Sequence, residues 1–234
     1  MDVRRPTAIL LLALTLTGTA GPARADDAVY RAAVAELAAA RAMLATAWTA
    51  ADTAEDRAEV LQRARQTALD GVADELIPAW LGTPWDFHGT SETPGEGHIA
   101  CGYFVSTILR DAGFGVERVR MAQQASELII LTLVGEDRVW RYRGQSRSAV
   151  GDAVEGHGDG LYVVGLDIHT GFLVVRDGAA RFCHSSYMEP LQVVCEDPAA
   201  APAFESSYRV VGKLLDDPML TRWLEGQAFP TRTR

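Results

Sequence analysis

Leu161-Tyr162-Val163-Val164-Gly165-Leu166 and Gly171-Phe172-Leu173-Val174-Val175 are two apolar, β-branched runs, followed by Asp177-Gly178 and then Ala180-Arg181-Phe182-Cys183-His184. Runs of this length and composition, bounded by turn residues, predict strands. Asp-Gly between two of them predicts a tight antiparallel hairpin, because both turn positions need a backbone that Asp and Gly tolerate. If the turn has two residues, position 176 pairs with 179 and position 171 with 184. A three-residue loop would instead turn every later side chain to the other face. Two more strand-like runs follow, Leu191 to Cys195 and Tyr208 to Lys213, and Asp217-Pro218 predicts a short terminal helix ending near Gly226.

Upstream of residue 158 the period changes. Residues 27–78 are Ala-rich with helical spacing, Val29, Val34, Leu37 and Leu44 forming one stripe and Val60, Leu61, Ala64, Ala68 and Val72 a second. Thr53-Ala54-Glu55-Asp56 between them reads as a capping box, and Pro78 as the end of the run. Two antiparallel helices follow from this, either packed on the main domain or offering a coiled-coil surface. Residues 82–98, rich in Gly, Pro, Trp and His, predict an ordered loop. Ala100 to Arg110 predicts a helix capped at Gly113, and residues 118–133 another. Helices first and antiparallel strands later predict an α+β domain.

The first 25 residues read as a secretory leader: Arg4 and Arg5, an uncharged apolar stretch from Ala8 to Leu16, then Ala23-Arg24-Ala25. The expected organisation is therefore leader 1–25, helical segment 26–78 and main domain 79–234, in a periplasmic or secreted protein without a retained membrane span. The chain has net charge −9, and removing Asp2, Arg4, Arg5 and Arg24 leaves it more acidic still. That charge argues against nucleic acid or an anionic membrane as partner.

Three cysteines, Cys101, Cys183 and Cys195, leave at least one thiol unpaired within the chain. Cys183 and Cys195 fall on adjacent predicted strands, as a disulfide in an oxidising compartment or as two reduced core residues. Cys101 falls at the start of a helix, where unpaired N–H groups and the helix dipole favour a thiolate. Gly102 beside it reads as room for a substrate. His169 is the candidate base, and with a two-residue turn His184 is its diagonal neighbour, able to hold its ring. A zinc hydrolase centre built from His157, Asp159, His169 and His184 is the competing reading, without the His-x-x-x-His helix such sites often use. No nucleotide fingerprint, phosphate loop or haem motif is present, and no cofactor is expected.

Leu81-Gly82-Thr83-Pro84-Trp85-Asp86-Phe87-His88-Gly89-Thr90 followed by Ala100-Cys101-Gly102-Tyr103-Phe104-Val105 resembles the nucleophile region of NlpC-type cell-wall peptidases, a branch of the papain-like cysteine hydrolases. Gly158 to Val163 resembles their Gly-Asp strand, His169 to Val174 their His strand, and Phe182-Cys183-His184-Ser185-Ser186 the segment bearing their third catalytic residue. The resemblance spans roughly residues 80–213. It implies a papain-like fold with the nucleophile helix packed on the sheet, and a peptidase or amidase acting through Cys101, His169 and His184. It also implies an oxyanion donor at the Cys101 N–H aided by Trp85 or His88, and peptidoglycan or another amide as substrate. Where family members acting on stem peptides carry an acidic residue before the Cys and Ser after it, this chain has Ala100 and Gly102. A non-catalytic wall-binding or scaffolding protein on a retired hydrolase fold is the remaining alternative.

Overall fold

The computed structural model describes residues 23–232; most of the expected leader lies outside the described residues. Helix α1 (Ala23–Ala50) turns at Asp52 into α2 (Ala54–Asp70), where the Thr53 hydroxyl accepts from the Asp56 N–H and the Asp56 carboxylate accepts from the Thr53 N–H. The capping box is thus formed, satisfying two of the orphan donors of a helix start. The buried stripe of α1 is Tyr30, Leu37 and Leu44, at heptad spacing. Val29, expected on that stripe, is 64% exposed, because its neighbour Tyr30 takes the inward position and bonds Asp111 through its hydroxyl.

The helical run ends at Ala79, one residue past Pro78 and close to where expected, but it is not regular throughout. The backbone widens to a π turn over Gly71–Leu76, with the Ile77 N–H reaching back to the Val72 carbonyl, and resumes as α3 (Ile77–Ala79). A wide turn ahead of the proline relieves the clash its ring makes in a regular helix. The hairpin shares one continuous core with the main domain, Ala64, Ala68, Val72 and Leu76 being fully buried there.

Six antiparallel strands form the sheet: β2 (Val139–Arg143), β3 (Gly160–Gly165), β4 (Thr170–Arg176), β5 (Ala179–Ser185), β6 (Val193–Glu196) and β7 (Tyr208–Lys213), in spatial order β2-β7-β3-β4-β5-β6. A separate short parallel pair joins β1 (Gly115–Val116) to β8 (Ala228–Phe229). The Asp177-Gly178 turn has two residues, both at positive φ, and Arg176 faces Ala179, so the expected register holds. Cys183 stands directly opposite Cys195 and is disulfide-bonded to it.

Alternation along the strands splits the core in two. Phe172, Val174 and Cys183 belong to the face covered by α4 (Cys101–Asp111) and α6 (Ser126–Leu133), with Phe104 edge-on to Phe172. Leu173, Val175 and Phe182 belong to the other face, beneath α7 (Arg147–Gly156). The helix expected over 118–133 is two, α5 (Arg118–Ala122) and α6, broken at Gln123 to Ala125. Helix α8 (Asp217–Glu225) is capped by Asp216, one residue earlier than expected, and ends in a left-handed Gly226. The whole is an α+β fold with helices on both faces of an antiparallel sheet. No helix of the described residues is long and apolar enough to cross a membrane.

Candidate active site

Cys101 is the first residue of α4, and Ala100 before it offers no side chain to cap the helix. The first intrahelical bond is from the Phe104 N–H to the Ala100 carbonyl, so the amides at the head of the helix are left for other acceptors. The N–H groups of Thr170, Gly102 and Cys101 all act on the sulfur and favour its ionised form. Burial outweighs them and pushes the thiol above its usual range. The helix start alone therefore does not produce the lowered thiol pKa expected from the sequence, because dehydration of the sulfur costs more than the amides return.

Gly102 has a packing role beside the one expected of it. The Cβ it lacks would lie 2.3 Å from the Ala122 carbonyl oxygen. Glycine at this position lets the end of α5 approach the nucleophile helix, and it lines both cavities that open at Cys101.

The loop before Cys101 is anchored at several points. The Val193 N–H donates to the Thr83 carbonyl, the Trp85 N–H to Leu191, the Ile99 N–H to Pro84, and the Ala100 N–H to Gly89. Arg118, buried, donates to the Thr107 hydroxyl and to the Thr90 and Ser91 carbonyls, tying the loop to α4. Trp85 and Phe87 thereby wall a cleft of about 820 Å³ that Cys101, Tyr103, His169 and Tyr187 also line. His88 borders it with its ring exposed, edge-on to Phe87. Cys101, Gly102 and His169 further border a smaller cavity beside Glu127 and Asp167. The thiol is half-buried and opens onto this space.

His169 precedes β4, its carbonyl accepting from the Leu166 N–H. Nε2 of its ring lies 2.8 Å from Nδ1 of His184, and Nε2 of His184 lies 3.0 Å from Oε1 of Glu196. Both rings are held by neighbours: His184 stacks on Phe182 with ring centres 4.0 Å apart, and Tyr187 stands edge-on to His169. Gly171, opposite His184, makes this possible, because a Cβ there would lie 2.8 Å from the His184 Cβ and from the Phe182 ring.

Proton accounting follows from the acid at the end. Burial pushes the Glu196 carboxyl above its usual range; in its ionised form it only accepts, so His184 then carries its proton on Nε2 and accepts at Nδ1. His169 then donates from Nε2, which leaves its Nδ1 with a free lone pair. Burial pushes His169 down to about 3 and holds His184 far below the usual range, His169 adding to the effect. At neutral pH the rings and the thiol all rest uncharged, and no hydrogen bond among the described residues joins the sulfur to the imidazole. Glu196 was not among the residues singled out from sequence. It ends a strand after a cysteine, and only the β5–β6 register brings it to His184.

The residues weighed for zinc do not converge. His157 stacks on Trp140 and bonds the Tyr142 hydroxyl, and Asp159 accepts from the Asp177 and Gly178 N–H groups at the hairpin turn. No group of three or more His, Cys, Asp or Glu among the described residues is arranged to hold a metal.

No family model, no curated protein and no solved structure matches this chain.

Proposed function

We propose that this protein is an exported cysteine hydrolase of papain-like type, acting on an amide or ester through Cys101, His169 and His184. The observation that carries the reading is that a half-buried thiol at a helix head and a buried imidazole line the same cleft, the imidazole bonded through Nε2 to a second histidine. The Cys183–Cys195 disulfide supports export, since such bonds persist in oxidising compartments.

Because thiol and imidazole rest neutral, the proton moves as the substrate arrives. His169 Nδ1 takes the Cys101 proton while the sulfur attacks the carbonyl carbon, and the charge on the carbonyl oxygen falls to amides at the head of α4. The C–N or C–O bond breaks, and the imidazolium gives its proton to the leaving amine or alcohol. Water then adds to the thioester with His169 as base, releasing the acid and the thiol. His184 and Glu196 keep the His169 lone pair on the cleft side and favour the transient imidazolium.

Peptidoglycan fragments are the first substrates to test, given the resemblance to cell-wall peptidases. Incubated with wild-type protein, they are expected to yield products heavier by one water in total, and none with Cys101→Ala. Cleavage by the variant would overturn the mechanism. The raised thiol favours one second reading, a retired hydrolase that binds without cleaving. Iodoacetamide separates the two: a working site labels at Cys101 in the folded protein, a retired one does not.

A further inference from the structure

We infer that the substrate group held beside Cys101 is uncharged and apolar; this rests on the proposed reading of Cys101 as nucleophile and narrows it to a substrate class. Two cavities meet at Cys101 and His169, and the larger, about 820 Å³ against about 410 Å³, has no carboxylate, ammonium or guanidinium in its lining. Its walls are Trp85, Phe87, Tyr103, Ile168 and Tyr187, and its amide groups come from Gln123 and Gln124. A cavity of this size and lining suits a mainly apolar group oriented by a few neutral hydrogen bonds. Its ionisable side chains besides Cys101 and the two tyrosines are the imidazoles of His88 and His169, so a carboxylate or ammonium entering it would lose hydration with no fixed opposite charge in the lining.

Its rim is of the same character. Ile168, from the β3–β4 turn, is 78% exposed and Phe87, from the loop before Cys101, 74%, and both line the cavity. Large apolar side chains left this exposed at the mouth of a cleft mark a surface that apolar ligands meet first. Charged groups around the cleft have partners of their own: the Asp86 carboxylate accepts from the His88 N–H, and the Asp167 carboxylate, on the smaller cavity, from the Ser207 N–H. Arg118 lies under the Tyr103 ring and is spent on Thr107 and two loop carbonyls. Glu127, on the smaller cavity, is paired with Arg141 at 2.7 Å and accepts from the Tyr208 hydroxyl. Amides or esters bearing aromatic or aliphatic groups therefore fit the larger cavity, and those bearing an ammonium or carboxylate do not.

The test uses three chloroacetamides of equal length, with tails ending in methyl, carboxylate or ammonium. In each the Cys101 sulfur displaces chloride, the C–Cl bond giving way to S–C and the thiol proton passing to His169. Rates of labelling at Cys101, read by mass and divided by the rate with free glutathione, are expected to be at least tenfold higher for the neutral tail than for either charged one. Ile168→Lys, at an exposed position, is expected to raise the rate for the carboxylate tail at least threefold relative to the methyl tail. Equal labelling by a charged tail in the wild type would overturn the inference while leaving the nucleophile intact. Failure of all three tails and of iodoacetamide to label Cys101 would overturn the nucleophile reading itself.

Discussion

His184 Nε2 lies 3.0 Å from Glu196 Oε1, on the next strand of the sheet, while the disulfide of their neighbours Cys183 and Cys195 crosses the same two strands on the opposite face. Hydrogen bonds thus join an acid and two imidazoles from the edge of the sheet to the cleft that the Cys101 thiol also lines. The order assigns each ring nitrogen a task, which makes the relay open to dissection.

Glu196→Ala removes the acceptor that fixes both tautomers. Its side chain is 31% exposed, so the fold is expected to lose only about 1 kcal/mol, the net worth of one hydrogen bond. Turnover is expected to fall about tenfold or more, as for loss of an orienting group. Imidazole nitrogen NMR should show protonation of His169 shifting toward Nδ1, and Glu196→Gln, which keeps an acceptor oxygen, should restore most of the rate. Unchanged tautomers in Glu196→Ala would remove the relay.

Gly102→Ala forces a methyl group against the Ala122 carbonyl, 2.3 Å from the ideal Cβ position. Backbone cannot yield as a flexible side chain does, so a loss of about 1–3 kcal/mol is expected, in line with overpacking of a close contact. Thermal unfolding measures it. A melting temperature equal to wild type would show that α5 moves freely at this point.

Acid should destabilise the fold through the paired histidines. Unfolded, each titrates near 6.5; folded, His169 is pushed down to about 3 and His184 also lies far below the usual range. Between those limits the unfolded chain binds more protons, so this contribution is whole above 6.5 and drains as pH falls toward 3. Two sites give a limiting slope of about 2.7 kcal/mol per pH unit. Urea unfolding at pH 7, 6 and 5 reads it, and His184→Gln should roughly halve the slope over that window. Flat stability from pH 7 to 5 in the wild type would contradict the burial of both rings.

Cys183→Ala with Cys195→Ala opens a crosslink spanning 12 residues. Chain-entropy reasoning puts the loss near 3 kcal/mol for a loop of this length. Denaturant unfolding gives the value. Hydrogen exchange at β6 should rise more than at β3, since β6 is the edge strand beyond β5 and has one strand neighbour against two.

Much of this was legible in the residues, for identifiable reasons. Asp177-Gly178 signalled a tight turn but left two or three residues open; with two, which the structure has, the meeting of His169 and His184 follows by counting. Thr53 to Asp56 spelled its own cap. Strand β2 and helix α7 went unread: Val139 to Arg143 interleaves two arginines, and only pairing with distant β7 makes it a strand. Charge at Cys101 was misread because a helix start is local while the burial of its sulfur depends on strands and loops far along the chain. Glu196 was invisible for the same reason: nothing in its own neighbourhood names a histidine twelve positions back.

Glu196 borders neither cavity at Cys101, yet part of its side chain reaches solvent. The proposed relay therefore has a second door. In the proposed enzyme, an oily guest that filled the mouth and drove water out would leave the hidden rings in touch with bulk protons through Glu196, and the chamber would be dry without being electrically sealed.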